Sequence, residues 1–158
     1  YGVYYIRITR KVTDRIFEEG STFEIGKAAT LRDGSDITLI TSGYCTSDTL
    51  KAAELLAEQG ISARVLNMFT WKPIDKEAIC AAAEQTGAIV TVENHNIVNG
   101  LGSAVAEAVA ECCPVPVKRI GVPDVFGEVG SIDYLKQIFH MTVDDIVAAA
   151  KDIISRKK

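Results

Sequence analysis

The stretch Ala88-Ile-Val-Thr-Val-Glu-Asn-His-Asn-Ile-Val-Asn-Gly-Leu-Gly-Ser103 decides the fold of this chain. A β-branched run leads into a polar turn and then into a glycine-rich helix start, so the pattern predicts strand, loop and helix. The same order recurs from Ile37 to Gly60, where an apolar strand precedes a helix that a glycine ends. Such repeated units build a parallel sheet, and ligands bind at the carboxyl ends of its strands.

The other elements complete a three-layer α/β/α fold with a mostly parallel five-stranded sheet. The Asp33-Gly34 turn between residues 27–31 and 37–41 favours a hairpin, so one edge strand should run antiparallel. Further strands are predicted at 63–67, 88–92 and 115–120, and helices at 47–59, 75–85 and 99–112. A capping box from Thr142 to Asp145 begins the last helix.

The start of the chain differs from the rest. Residues 3–8 alternate and are rich in β-branched and aromatic types, which predicts a strand. The charged stretch up to Gly20 is typical of a linker, so we divide the chain into residues 1–20 and a main domain of residues 21–158. Tyr1 is not a methionine and no signal segment follows it, so we expect a fragment or a trimmed subunit.

Composition excludes several classes of protein. The 158 residues are 47% hydrophobic and 24% charged, as in an ordinary soluble domain. The net charge of −4 argues against a nucleic-acid partner, because such binding needs clustered Lys and Arg. Apolar runs such as 146–150 are far shorter than the roughly 18 residues of a membrane span, so we expect no membrane partner.

Cysteine spacing favours neither zinc nor a disulfide framework. The chain has four cysteines, Cys45, Cys80, Cys112 and Cys113. They form no CxxC motif, and His95 and His140 are the only nitrogen donors that could be added, so no metal site is expected. Cys45 precedes a helix and could be an activated nucleophile, but no partner is near it in sequence. A partly buried free thiol is the favoured interpretation.

Arg10 is the strongest candidate binding residue. It follows the predicted first strand, and a guanidinium binds phosphate through a bidentate pair of hydrogen bonds. The alternative is an ion pair on the surface or between domains. Arg7 lies on the opposite strand face from its apolar neighbours and is expected to pair with an acidic residue.

The polar residues after the central strand have two interpretations. Glu93, His95 and Asn96 could act as acid–base groups, but a hydrogen-bonded turn or a subunit contact is favoured. The glycines of 99–103 could expose N–H groups to a phosphate at a helix start, but the dinucleotide pattern fails because Val105 replaces its third glycine. A tight turn is favoured there.

Several runs together resemble the C-terminal domain of thiamine diphosphate enzymes related to transketolase. They are Gly34-Ser-Asp-Ile-Thr-Leu-Ile-Thr-Ser-Gly43, Thr70-Trp-Lys-Pro-Ile-Asp75, Val92-Glu-Asn-His95 with Gly100-Leu-Gly-Ser103, and Phe126-Gly-Glu-Val-Gly130 before Thr142-Val-Asp-Asp-Ile146. Residues 1–10 resemble the last strand of the preceding pyrimidine-binding domain. Trp71, inside the second run, is interpreted as a packing anchor rather than a platform for a sugar.

The resemblance implies a two-carbon ketol transfer between sugar phosphates in the pentose phosphate pathway. It also implies thiamine diphosphate and a divalent metal, Mg or Ca, both bound outside this chain, with Arg10 holding the sugar phosphate. No residue of this chain is then expected to be catalytic or to bind the cofactor. The expected partners are the cofactor-binding domains or subunit, in a cytoplasmic homodimer whose substrate channel this domain supports.

Two alternatives stay open. The same domain occurs in deoxyxylulose-phosphate synthase and in the β subunits of 2-oxoacid dehydrogenases. The second alternative is a non-catalytic flavodoxin-like module that binds an anion at residues 99–103. It stays open because a fold does not settle a function.

Overall fold

The computed structural model describes residues 2–10 and 12–157, and regular secondary structure there begins at Ala29. Strands and helices alternate along most of the chain. They are β1 (Ala29–Arg32), β2 (Ile37–Thr41), α1 (Cys45–Glu58), β3 (Ala63–Asn67), α2 (Lys76–Thr86), β4 (Ile89–Asn96), α3 (Leu101–Cys112), β5 (Val117–Val122), α4 (Ile132–Ile138) and α5 (Val143–Ile154). No helix in the described part of the chain is long and apolar enough to cross a membrane.

The five strands form one mixed sheet in the order β1-β3-β2-β4-β5. Neighbours are parallel from β3 through β2 and β4 to β5, whereas β1 runs antiparallel to β3 and places Ala29 opposite Asn67. The predicted fold class, a mostly parallel sheet with one antiparallel edge strand, is confirmed.

Two hydrophobic cores lie on the two faces of the sheet. Alternation along the strands sends Leu39 and Val90 to the core under α1 and α5, and Ile40 and Ile89 to the core under α2 and α3. Every residue of β2 is buried, as expected for the central strand of a sheet that is covered on both faces. The molecule therefore has three layers.

The predicted hairpin between the first two strands is wrong, because β1 pairs with β3 and not with β2. The connection between β1 and β2 passes over the beginning of β3. A Cβ on Gly34 would lie 2.3 Å from both the carbonyl carbon of Ala63 and the nitrogen of Arg64, so only glycine fits this crossing. The glycine that suggested a two-residue turn is needed for a close approach of two backbones.

The predicted strand at residues 3–8 is also wrong. Residues 2–10 have no regular secondary structure, and their side chains are exposed. A strand needs a neighbour to pair its N–H and C=O groups, and both edges of the sheet leave this segment unpaired. Alternating β-branched residues are not sufficient without such a neighbour.

Element boundaries shift where tertiary pairing extends or delays a strand. β4 continues to Asn96, which pairs with Val122 of β5, whereas sequence had ended that strand at Val92. Consequently α3 begins at Leu101 rather than at position 99, and β5 begins at Val117.

A disulfide joins Cys80 of α2 to Cys112 of α3, with a Cα–Cα distance of 6.0 Å. The two cysteines are 32 positions apart and belong to no motif, so their spacing gave no indication of this bond. Sequence had disfavoured a disulfide framework. The structure shows one bond, formed because the two helices pack side by side on the same face of the sheet.

Candidate functional site at the carboxyl edge of the sheet

The carboxyl ends of the parallel strands gather the candidate residues at one edge of the molecule. This edge is where α/β sheets bind ligands. Glu93, His95 and Asn96 lie at the carboxyl end of β4, and Phe69 and Trp71 follow β3. Arg7, in the N-terminal segment of residues 2–10, contacts the same edge.

Glu93 is fully buried and holds the first turn of α3. Its Oε2 accepts a hydrogen bond from the N–H of Leu101 at 2.7 Å, and its Oε1 accepts one from the N–H of Gly102 at 2.8 Å. Burial raises the pKa of this carboxyl, and the two backbone N–H groups partly offset that effect. The side chain therefore acts as an internal cap of the helix.

The glycines around Glu93 provide the space that it occupies. A Cβ on Gly100 would lie 2.0 Å from Glu93 Oε2, and a Cβ on Gly121 would lie 3.0 Å from Glu93 Cγ. One position into α3, a Cβ on Gly102 would meet Thr91 Oγ1 at 2.6 Å. The glycines of 99–103 thus allow close packing, which confirms the interpretation favoured from sequence.

The same geometry bears on the anion-binding alternative. The N–H groups of Leu101 and Gly102, which would bind an anion at the start of α3, already donate to the Glu93 carboxylate. An external phosphate would have to displace this buried side chain from both N–H groups. The observed hydrogen bonds therefore oppose a phosphate site at this helix.

His95 and Asn96 serve structural roles. The His95 ring is half-buried, its Nδ1 lies 2.9 Å from the carbonyl oxygen of Asn96, and it meets the Trp71 ring edge-on at 5.5 Å. Asn96 Oδ1 accepts from the N–H of Val98 at 2.7 Å, and its Nδ2 donates to Asp124 Oδ1 at 3.2 Å. The hydrogen-bonded turn expected from sequence is confirmed, as is packing of Trp71.

Cys45 is not an activated nucleophile. Its side chain is 2% exposed, and burial raises the pKa of the thiol to about 12. The thiol is therefore protonated at neutral pH and inert. The favoured interpretation, a buried free thiol, is confirmed.

The N-terminal segment is attached to this edge at several points. Arg7 Nη2 donates to the carbonyl oxygen of Asn94 at 2.9 Å, so its predicted pairing with an acidic side chain is wrong. Arg10 is exposed. Further along, the Phe23 ring makes T-shaped contacts with Phe17 and Phe69, with ring centroids 4.7 Å and 5.2 Å apart. These contacts hold the chain near Phe23 against the end of β3.

Within residues 2–10 and 12–157, no three His, Cys, Asp or Glu side chains lie together as metal ligands. The carboxylate that sits deepest in the edge, Glu93, is already bound to two backbone N–H groups. The described residues therefore provide neither a metal centre nor a cradle for a diphosphate.

Comparison with known families now gives the identity of the domain. The family model "Transketolase, C-terminal domain" matches residues 26–146. This chain belongs to that family. The match begins three residues before β1 and ends inside α5, so it covers the whole sheet of this transketolase C-terminal domain.

Individual relatives extend the comparison. The chain is 50% identical over 156 residues to the 6-deoxy-6-sulfo-D-fructose transketolase subunit SqwH of Clostridium sp. (strain MSTE9), covering 99% of this chain and 48% of that protein. It is 44% identical over 129 residues to 1-deoxy-D-xylulose-5-phosphate synthase of Desulforudis audaxviator (strain MP104C), covering 80% of this chain and 20% of that protein.

A solved relative has the same fold. The structure described as a split gene transketolase, inactive beta4 tetramer, superposes with a TM-score of 0.91 at 40% identity, covering 94% of this chain and 49% of that chain. The chain thus spans about half the length of SqwH and of this solved subunit. A domain of this family therefore makes up about half of each of those two proteins.

Sequence reasoning missed one feature of this edge. The loop after β5 exposes Val125, Phe126 and Val129 to solvent. The available signal was Gly127 and Gly130 beside Val125, Phe126 and Val129, because closely spaced glycines disfavour a regular strand or helix there. The exposure of these apolar side chains is evident only from the fold.

Proposed function

We propose that this domain forms the C-terminal part of a transketolase subunit that takes part in transfer of a two-carbon ketol unit between sugar phosphates. The observation that carries this proposal is the 50% identity to a transketolase subunit over 99% of the chain. The domain's own contribution is architectural. It supports assembly of a homodimer in the cytoplasm and bounds one side of the substrate channel.

Thiamine diphosphate and a divalent metal ion, Mg or Ca, are bound by residues outside this chain. Together they supply the chemistry of the ketol transfer. In this chain Glu93 occupies the N–H groups of Leu101 and Gly102 at the helix start that could otherwise bind a diphosphate. We therefore assign no chemical step to a residue of this chain.

Arg10 is the residue of this chain that we assign to substrate. Its guanidinium is exposed, and it lies three residues after Arg7, which binds the end of β4. An exposed guanidinium can form two charge-assisted hydrogen bonds with the terminal phosphate of a sugar. The relative SqwH is named for a sulfonated ketose, so a sulfonate is a second anion that Arg10 could bind in the same way.

The test is ketol transfer by the assembled enzyme. The cofactor-binding part and this domain are assayed separately and together, with thiamine diphosphate, Mg²⁺, a phosphorylated ketose donor and an aldose acceptor. Transfer only in the combined sample supports the proposal. Transfer by this chain alone, or equal transfer without it, would overturn the proposal.

The similarity to a synthase favours a second candidate reaction. The match to 1-deoxy-D-xylulose-5-phosphate synthase covers 80% of this chain but only 20% of that enzyme. Formation of 1-deoxy-D-xylulose 5-phosphate by the assembled enzyme, with no ketol transfer between sugars, would establish this alternative.

A further inference from the structure

The disulfide between Cys80 and Cys112 lies at the surface of the domain. Cys112, the last residue of α3, is exposed, and Cys80 of α2 is half-buried. Exposed disulfides are the labile ones, because a thiolate in solution can reach a sulfur of the bond. This bond is therefore open to thiols from the side of Cys112.

The other cysteines are less accessible. All four cysteines lie in the described part of the chain, and of these Cys112 alone is exposed. Cys113 is a free thiol, half-buried against the core under α2 and α3. Cys45 is free and buried in the opposite core. Exposure therefore distinguishes Cys112 from the neighbour that follows it directly in sequence.

The two helices hold together without the disulfide. Lys76 Nζ in α2 lies 2.9 Å from Glu111 Oε2 in α3, but an exposed ion pair adds little stability. The main contact is a shared hydrophobic core, formed by Ile79, Ala82, Ala83, Val105, Ala108 and Val109. The disulfide thus crosslinks helices that already pack against each other. Both the oxidised and the reduced form of the cysteine pair are compatible with the fold.

We propose that Cys112 is a reversible modification site at which a low-molecular-weight thiol opens the Cys80–Cys112 bond. In the first step, the thiolate of the small thiol attacks Sγ of Cys112. A new S–S bond joins the small thiol to Cys112, the bond to Cys80 breaks, and its electron pair stays on Sγ of Cys80 as a thiolate. This exchange involves no net oxidation, and the proton that the small thiol gave up is available to Cys80.

The released Cys80 makes the modification reversible. The packed helices keep the Cα atoms of Cys80 and Cys112 at 6.0 Å, a separation that a disulfide spans, so Cys80 can attack Cys112 and expel the small thiol. In the competing step, a second small thiolate attacks the sulfur of the first, and Cys112 leaves as a thiolate. The two small thiols are then oxidised to one disulfide, and the protein bond is reduced by two electrons.

Reduced glutathione is the probe for the first step. The 158-residue chain, purified without reductant, is mixed with glutathione at mildly alkaline pH without urea, and excess N-ethylmaleimide is added at early times. Cleavage after Glu84 and Glu111 places Cys80 and Cys112 on different peptides, and fragmentation between Cys112 and Cys113 in a mass spectrometer locates the adduct.

The expected product carries glutathione on Cys112 and N-ethylmaleimide on Cys80. Glutathione on Cys80, Cys113 or Cys45 instead, or a bond that opens only after urea is added, would overturn the proposal. This readout is the position of a covalent adduct, so its outcome is independent of ketol transfer.

Two variants test reversibility. In Cys80→Ser, oxidised glutathione should form an adduct at Cys112 that lasts, because no second thiol is there to expel it. In the reduced wild type the adduct should be lost as the Cys80–Cys112 bond forms again. Cys113→Ser is the matched control and should behave as the wild type does. A lasting adduct in the wild type, or no adduct at Cys112 in Cys113→Ser, would contradict the proposal.

Discussion

Glu93 and Gly100 are complementary in shape, because a Cβ on Gly100 would fall 2.0 Å from the carboxylate oxygen Oε2 of Glu93. The backbone φ at Gly100 is −93°, an ordinary value, so space and not backbone freedom requires glycine there. A motif that resembles a phosphate-binding loop is thus the packing partner of a buried carboxylate. The start of α3 is capped from within the domain.

This relationship predicts the cost of adding one methyl group. Gly100→Ala should lower the free energy of unfolding by about 2–3 kcal/mol, because the Glu93 carboxylate must move and lose hydrogen bonds. Gly127→Ala is the matched control, since its Cβ would meet nothing within 4 Å. Urea unfolding of both variants measures the difference, and equal stability of the two variants would contradict the close fit.

Glu93 should also make stability depend on pH. Its folded pKa is raised by burial above the ordinary value of 4.5, so the folded protein holds this proton more tightly than the unfolded protein. The contribution of Glu93 to stability is then fully present below pH 4.5 and is lost as pH rises through the folded pKa. The free energy of unfolding of the wild type should therefore fall relative to that of Glu93→Gln as pH rises from 4.5. Urea unfolding across this range measures it, and a constant difference would refute a raised pKa.

The Cys80–Cys112 bond predicts sensitivity to reductant. It closes a loop across 32 positions, so reduction should lower the free energy of unfolding by about 3–4 kcal/mol in the chain-entropy account. The double variant Cys80→Ser and Cys112→Ser should be equally stable with and without dithiothreitol. Thiol counting after unfolding without reductant should give two free thiols, from Cys45 and Cys113, and four would contradict the bond.

Arg10 should affect the assembled enzyme in a substrate-dependent way. Arg10→Ala should raise KM for phosphorylated or sulfonated sugars by about 30–100-fold through loss of charge-assisted hydrogen bonds, and should spare uncharged acceptors. Arg15→Ala is the control, because Arg15 is mostly exposed and only faces Glu19 at 3.9 Å. Steady-state kinetics on both substrate classes decide the matter. Equal losses on both would show that Arg10 acts through structure.

Sequence predicted the parallel units well because their signals are local. Asp75 caps α2 by accepting from the N–H of Ala78, and Thr142 and Asp145 form the capping box that begins α5. These interactions involve residues three apart, so the spacing alone reveals them.

The failures depend on distant neighbours. Gly34 was assigned to a hairpin because its close approach to Ala63 is not visible in sequence. Residues 3–8 have the composition of a strand but no strand beside them. At the site, the residue types of Glu93 and His95 allowed acid–base chemistry. Only the fold showed that two backbone N–H groups donate hydrogen bonds to the Glu93 carboxylate.

The central claim is that this domain shapes an enzyme whose cofactor is bound elsewhere. Isothermal titration of thiamine diphosphate with Mg²⁺ into the folded 158-residue chain tests it most directly. The account predicts no binding heat above dilution, together with saturable binding when the cofactor-binding part of the enzyme is present. Saturable binding by the chain alone would contradict it.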